Sequence, residues 1–431
     1  MIVAVGFLCL CACAGSVSAG GVVEEEWNNT YYAGLYTDIF AVAPAGDGGY
    51  MLGGLGYDPA SSGKNAVYFR TNDAGTVVWN TAFEGFKVSS IAAVGDGTFV
   101  LTTTTENQRF GETGELISAE GSSHLIKTDG EGTPLWDTSV ANLIVRKVLV
   151  NDGGDLMICG WRWHDDLTTS AVLVKYSGDG DLVWERVLGT GAAYDVAPAG
   201  TGYFVAGVDS LENIETTWLL KTTADGKQTS KKTYENLAFY AMIPDGEEYL
   251  LTGSALVPFT ETQMETRAVA VKTDSAGMKL WQQTLQGAAG YDALALASDE
   301  YLIAGKWGDA AMTLLLDENG NELDSAIYQT IVENNSVASI FHAVSPAPDG
   351  GFATAGWTGM GGETAEGWLV KYAPPSGVVV PETTTPTSAV TTTATPQGTL
   401  PVPSSTEAPG FGVISVLAAL GSAGILLRRR A

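Results

Sequence analysis

The chain has 431 residues, of which 49 are Asp or Glu and 22 are Lys or Arg, so its formal net charge is −27. Only 16% of the residues are charged, so the imbalance comes from scarce cations rather than from dense acid. Such a surface repels phosphate backbones, which excludes nucleic acid as an expected partner.

The first 19 residues are almost wholly apolar and end in Val17-Ser18-Ala19, small residues of the kind that a signal peptidase reads. We therefore expect residues 1–19 to be a signal peptide and the chain to be exported. A lipobox at Leu10-Cys11-Ala12-Cys13, with Cys13 lipidated, is the alternative. Cleavage after Ala19 would leave Cys159 as the only cysteine, and its apolar neighbours predict a buried core thiol.

Residues 20–373 repeat one pattern seven times. A Gly-rich turn precedes an apolar strand, and these turns begin at Asp47, Asp96, Asp152, Gly200, Asp245, Ser298 and Asp349. A second apolar strand, usually ending near Lys, begins at Ala66, Ser123, Ala171, Thr217, Ala268, Met312 and Gly367. The spacing of about 50 residues is typical of four-stranded blades, so the pattern predicts an all-β, seven-bladed β-propeller.

The fourth strand of four repeats contains a Trp four residues after a turn glycine: Trp79, Trp136, Trp184 and Trp281. We expect these side chains to be structural. The last repeat has no such strand, but the segment beginning Trp27-Asn28-Asn29 resembles Trp79-Asn80-Thr81. The N-terminal strand is therefore predicted to complete the seventh blade, which would cover an open sheet edge.

In outline these repeats resemble those of PQQ-like and WD40-like bacterial and archaeal surface propellers. They lack the Gly-His and Trp-Asp pairs of WD40 repeats proper. The resemblance implies a propeller ectodomain.

The connections from second to third strand vary most in length, from a long acidic loop at Thr104–Ser122 to a very short one at Lys306–Ala311. Variable loops on a rigid scaffold often bind ligands. Their aromatic residues are candidates for stacking on sugar rings or anchoring a protein partner: Trp161, Trp163, His164, Trp307 and Trp357. The alternative is that each Trp caps its strand against the next blade.

Residues that enter the first strand of each repeat are expected to surround the central channel: Asp38, Ser89, Arg146, Asp195, Tyr240, Asp292 and His342. Such a set could bind a cation or polarise a substrate, or merely line a water-filled channel. No catalytic residue, metal site or cofactor is predicted. Asp317-Glu318-Asn319-Gly320-Asn321 resembles half a calcium loop, but Tyr328 stands where Glu is needed.

Residues 374–408 are rich in Thr, Pro and Ser and predict an extended stalk. Residues 409–431 contain Pro409-Gly410-Phe411, a short apolar helix and a terminal Arg cluster. Together they resemble the PGF-CTERM sorting signal of archaeal surface proteins, which implies cleavage by an archaeosortase and attachment to a membrane lipid. An ordinary transmembrane anchor is the alternative, and either places the propeller on the extracellular face of the membrane. Asn28 and Asn334 lie in N-glycosylation sequons.

The sequence therefore favours a surface-anchored binding or adhesion module that holds an envelope sugar or protein. Two alternatives remain open. One is a structural envelope component without a discrete ligand, and the other is an extracellular enzyme that uses the channel carboxylates.

Overall fold

A computed structural model describes residues 24–58, 63–111, 116–211, 216–260, 263–296, 299–332, 335–361 and 364–374. The chain divides into two units, Met1–Val378 and Val379–Ala431, and all described residues belong to the first. The predicted signal peptide, nearly all of the stalk, Asn334 and the sorting motif Pro409-Gly410-Phe411 lie outside the described residues.

Every regular element in the described part of the chain is a β-strand. The N-terminal strand β1 spans Glu25–Tyr31. The first three repeats contain β2 (Tyr36–Pro44), β3 (Tyr50–Asp58), β4 (Gly63–Thr71), β5 (Val77–Phe83), β6 (Lys87–Ala93), β7 (Phe99–Phe110), β8 (Leu116–Thr128), β9 (Pro134–Val140), β10 (Ile144–Val150), β11 (Leu156–Trp163), β12 (Thr169–Tyr176) and β13 (Leu182–Thr190). The next three contain β14 (Ala192–Ala199), β15 (Gly202–Val208), β16 (Thr216–Thr222), β17 (Gln228–Glu235), β18 (Leu237–Asp245), β19 (Glu248–Pro258), β20 (Met264–Thr273), β21 (Lys279–Thr284), β22 (Ala289–Ala295), β23 (Tyr301–Trp307), β24 (Ala310–Leu316) and β25 (Glu322–Tyr328). A small hairpin, β26 (Thr330–Val332) and β27 (Asn335–Val337), precedes β28 (Ser339–Pro346), β29 (Phe352–Gly361) and β30 (Thr364–Tyr372).

Within each repeat the strands pair in sequence order, and every neighbouring pair is antiparallel. The last repeat supplies only three strands of its own, and β1 pairs antiparallel with β30, placing Thr30 opposite Trp368. The predicted pairing of the N-terminal strand with the last repeat is thus present. One parallel pair, Tyr36 with Ala365, joins β2 to β30.

The core lies between successive repeats rather than within one. Met51 and Tyr68 of the first repeat share a cluster with Phe99 of the second. The last and first repeats meet in the same way, because Leu369 packs in one cluster with Leu52 and Phe69. Burial on both faces explains why inner strands such as β11 and β15 show little period-2 alternation, whereas fourth strands such as β5 and β9 alternate between half-buried and exposed residues.

The fourth-strand tryptophans cover the turn glycine of the following repeat. A Cβ added to Gly132 would lie 2.4 Å from the ring of Trp79, so only glycine leaves room for this contact. Trp27 covers Gly75 in the same manner, which places β1 as the fourth strand before the first repeat. The structural role predicted for Trp79 is consistent with this packing.

The Lys near the end of most third strands has a structural partner. Lys175 and Lys371 lie 2.6 and 2.8 Å from turn carboxylates of Asp155 and Asp349. Equivalent pairs join the other members of this set: Arg70 to Asp47, Lys127 to Asp96 and Lys272 to Asp245. We call Arg70, Lys127, Lys175, Lys272 and Lys371 the third-strand cations. They tie the third strand to the turn between the first two.

Candidate functional site in the central channel

Each first strand has a β-bulge at the equivalent place. The register of β2 with β3 shifts between Ile39 and Ala41, and the same one-residue shift recurs in every other repeat. A bulge leaves one residue out of the ladder and re-aims its side chain. We call these the bulge residues: Phe40, Ser89, Arg146, Tyr194, Tyr240, Tyr291 and His342.

All the bulge residues line one cavity, and so does the residue that follows each of them. The cavity offers about 80 Å³ to water-sized molecules. Because one water needs roughly 10–15 Å³ by this measure, the space suits a small solute with its waters. The repeats therefore converge on one small central site.

Aromatic bulge residues form a connected wall around this cavity. The ring centroids of Tyr240 and Tyr291 lie 5.5 Å apart, and those of Tyr194 and Tyr240 lie 6.0 Å apart. The wall continues from Tyr291 to His342 at 5.7 Å and from His342 to Phe40 at 4.8 Å. Tyr194 and Tyr240 are 6% and 7% exposed, and the Tyr240 hydroxyl lies 2.9 Å from that of Ser254, so the wall offers only part of its aromatic surface to a ligand.

Two of the residues that directly follow the bulge residues, Asp195 and Asp292, link neighbouring repeats by hydrogen bonds. Asp195 accepts a backbone N–H bond from its neighbour Val196 at 2.7 Å and another from Met242, in the next repeat, at 2.8 Å. Asp292 accepts equivalent bonds from Ala293 and Val344. These carboxylates are thus engaged by the fold.

Lys147 lies among these carboxylates. Asp195, followed by Asp292, raises the pKa of Lys147 against the effect of burial. Burial raises the pKa of Asp195 and of Asp292, while Lys147 and the backbone N–H groups oppose that rise. The charge of Lys147 is therefore compensated inside the channel.

Lys87 and Arg146 lie in a different setting. The Lys87 ammonium is 4.4 Å from the ring centre of Phe40, and the Arg146 guanidinium is 6.0 Å from that of Tyr194. Burial, with Arg146 as the next cause, lowers the pKa of Lys87 to about 8. We call Lys87 and Arg146 the channel cations.

Asp38 lies beside the cavity rather than in its lining. Its carboxylate is 3.3 Å from the His342 Nε2 atom, but the alignment does not make a hydrogen bond. Both atoms are buried and have no hydrogen-bond partner among the described residues. A buried polar group without a hydrogen bond is costly to the fold.

The structure brings together six of the seven predicted channel residues: Ser89, Arg146, Asp195, Tyr240, Asp292 and His342. It also corrects their alignment, because the predicted set mixed bulge residues with residues one place later and with Asp38, which lies two places before its bulge residue. The bulge adds one residue to each strand, so Asp195 is equivalent to Lys147 rather than to Arg146. For the same reason, the sequence did not predict four residues of the cavity lining: Phe40, Tyr194, Tyr291 and Lys147. A recurring aromatic immediately before Asp195 and Asp292 was the available signal.

The predicted loop aromatics do not form one exposed cluster. Trp161 is only 6% exposed and lies 6.3 Å from Tyr194, which corrects the expectation of an exposed ring there. Trp357 is half-buried and lies 6.0 Å from Tyr36, and its Nε1 has no partner in the described part of the chain. These two tryptophans pack at their strand ends because the neighbouring first strand covers them.

The other three predicted loop residues are more accessible. Trp307 is half-buried against the core cluster that contains Met312. Trp163 is half-buried and donates from Nε1 to Glu106 at 2.9 Å. His164 is exposed, and its Nε2 lies 2.7 Å from the Ser170 hydroxyl.

The face with the connections from second to third strand also differs from the prediction. The segment expected as a loop at Thr104–Ser122 continues the pairing of β7 with β8, with Arg109 opposite Ser118. Its Thr-rich sequence is compatible with extended strands. We call this side of the molecule the loop face.

Several sites are absent from the residues described. Within them, no group of three or more His, Cys, Asp or Glu side chains is placed to hold a metal ion. None of the described segments forms a helix long and apolar enough to cross a membrane. Cys159 is a buried free thiol whose pKa burial raises well above its ordinary value. Asn28 is exposed, so its side chain points outward from β1.

Comparison with known proteins shows similarity at the level of fold. The WD40 repeats of RRP9 match with a TM-score of 0.51 and 9% identity over 81% of this chain and 99% of that chain. U3-55K matches with a TM-score of 0.51 and 10% identity over the same shares. A protein of unknown function from Dyadobacter fermentans has a TM-score of 0.47 and 9% identity over 82% of this chain and 99% of that one. No family model and no curated protein matches the chain. The fold is thus all-β and similar to WD40-repeat propellers.

Proposed function

We propose that this chain is a seven-bladed β-propeller that binds a partner protein through its loop face while anchored to the outer cell surface. Fold similarity alone does not assign a partner. The proposal rests instead on the apolar side chains that the loop face exposes.

The loop-face hairpins extend large apolar side chains into solvent. Phe110 and Ile117, on β7 and β8, are 51% and 59% exposed. Phe259, at the tip of the hairpin between β19 and β20, is 64% exposed. Aromatic and aliphatic side chains on loops above a rigid scaffold are typical anchors of a protein interface.

A second group of exposed apolar residues provides a control. Val78, Leu135 and Val183 lie on the outer strands β5, β9 and β13 and are similarly exposed. Each belongs to a different repeat, and they lie on the rim rather than on the loop-face hairpins. Replacing these apolar rim side chains should therefore not change the binding of a partner at the loop face.

The test compares two triple variants of the full-length protein. One carries Phe110→Ser, Ile117→Ser and Phe259→Ser, and the other carries Val78→Ser, Leu135→Ser and Val183→Ser. A protein captured by the parent from solubilised envelope is identified and purified, and its Kd is measured with each form. We expect the loop-face variant to weaken binding at least tenfold, about 1.4 kcal/mol, and the rim variant to stay within twofold. Equal affinities for both variants would overturn the placement.

The two ends of the chain support the proposed location. Residues 1–19 suit an export signal, and residues 409–431 suit the sorting signal described above. The intact mass of the membrane-bound protein tests both proposals. A mass that still includes residues 1–19 or the terminal Arg cluster would argue against the corresponding cleavage.

A further inference from the structure

Arg146 lines the channel cavity and Lys87 lies beside it, against Phe40, and neither has the kind of partner that the fold gives to cations elsewhere. Within the described residues, neither Lys87 nor Arg146 has a carboxylate within 4 Å or a hydrogen bond. The buried side chains of Lys272 and Lys371, in contrast, are paired with turn carboxylates. Both side chains are half-buried, and a partly desolvated charge without a close partner costs stability. A ligand of opposite charge would remove that cost.

Carboxylates near the channel cations provide only part of this compensation, because none lies within 4 Å; the charge of Arg146, for example, opposes the rise in the pKa of Asp195 from beyond that distance. Asp195 and Asp292 are held by backbone N–H groups and by the charge of Lys147. Glu106 and Asp38 influence Lys87 only over longer distances, and Glu106 accepts the bond from Trp163. The free hydrogen-bond donors of Arg146 and Lys87 therefore remain for a ligand.

The rest of the cavity fits a ring that bears polar groups. Tyr194, Tyr240 and Tyr291 follow one another around the wall, and Arg146 lies over the face of Tyr194. The cavity is small, about 80 Å³ to water-sized molecules, so it suits one ring rather than an extended chain. Aromatic faces pack against the C–H faces of sugars, and guanidinium groups pair with carboxylates in a bidentate manner.

We propose that the channel binds an acidic sugar, with its carboxylate on Lys87 and Arg146 and its ring against the tyrosine wall. This site is distinct from Phe110, Ile117 and Phe259, so it can fail or succeed independently of the proposed protein interface. The simplest ligand of this class is a hexuronate.

The experiment titrates the full-length protein with D-glucuronate by calorimetry at pH 7. D-Glucose has the same ring without the charge, and acetate has the charge without the ring. We expect glucuronate to bind, and glucose and acetate to bind at least tenfold more weakly. Absence of glucuronate binding would overturn the proposal, and equal affinity for acetate would overturn its sugar component.

Variants locate the site. Lys87→Gln and Arg146→Gln should each weaken glucuronate at least tenfold. Lys227→Gln removes an exposed charge from a turn between third and fourth strands and should leave the affinity within twofold. Unchanged affinity in both channel variants would place the ligand elsewhere and overturn the assignment.

Lys87→Arg is the control for loss of folding, because it keeps a positive charge at this position. The affinity of the parent protein should fall as the pH rises above about 8, since Lys87 then loses its proton. The charged groups facing Lys87 are Arg146, Glu106 and Asp38, of which Arg146 lowers its pKa. Lys87→Arg should bind at pH 7 and keep its affinity at pH 9 because arginine stays protonated. A parallel fall in both proteins would contradict a role for the Lys87 charge.

Discussion

The third-strand cations and the channel cations both lie at repeated positions, but they differ in whether a carboxylate lies within ion-pair distance. Arg70, Lys272 and Lys371 are buried and each meets a turn carboxylate. Arg146 lines the cavity and Lys87 lies beside Phe40 of the lining, and neither has such a partner in the described part of the chain. Where the residue type repeats, it stabilises the scaffold. Where only the backbone bulge repeats and the side chain changes, as at Arg146, the position is free to serve binding.

Lys371→Met should have the largest effect on stability. The Lys371 ammonium donates to Asp349, to the Tyr372 carbonyl and to Glu26 of β1, so its loss also loosens the N-terminal strand. We expect the free energy of unfolding in urea to fall by about 2–3 kcal/mol. Lys227→Met, which removes an exposed lysine, should change it by less than about 0.5 kcal/mol. Similar losses in the two variants would remove the distinction between buried and exposed ion pairs.

Acid should weaken the same set of contacts. Burial would raise the pKa of Asp349, but hydrogen bonds from Lys371 and from the Gly351 N–H lower it below 3.8 overall. A carboxyl with a lowered folded pKa binds protons more readily when unfolded, so its stabilisation is present above about pH 4 and is lost as the pH falls through the folded value. Urea unfolding between pH 5 and 2 should therefore show a shallower acid loss in Lys371→Met than in the parent. Parallel curves would show that the pair does not produce the acid dependence.

Arg146→Gln and Lys87→Gln should have the smallest effect on stability. Neither substitution breaks an ion pair within 4 Å, and each removes a charge that ring contacts and more distant carboxylates compensate only in part. We expect the free energy of unfolding to change by no more than about 0.5 kcal/mol in either direction. A loss above about 2 kcal/mol would assign these cations to the scaffold instead.

The repeat made the strands and the N-terminal pairing predictable from sequence. The turn glycines and Trp27 supplied enough information to place β1 beside the last repeat. The channel was less predictable because a bulge inserts a residue without leaving a sequence signature. Trp161 was misjudged for a related reason, since its burial depends on Tyr194 from the next repeat.

The recurring bulge also has a consequence for protein engineering. At each bulge the re-aimed side chain leaves the ladder, so replacing it need not alter the hydrogen bonds of the sheet. Phe40, Arg146, Tyr194, Tyr291 and His342 can thus be randomised together as a combinatorial library. Ser89 and Tyr240 are kept, because Ser89 donates to the Val145 carbonyl of the next repeat and the Tyr240 hydroxyl lies 2.9 Å from that of Ser254. The same scaffold could then bind different small molecules, depending on which side chains stand at the bulge positions.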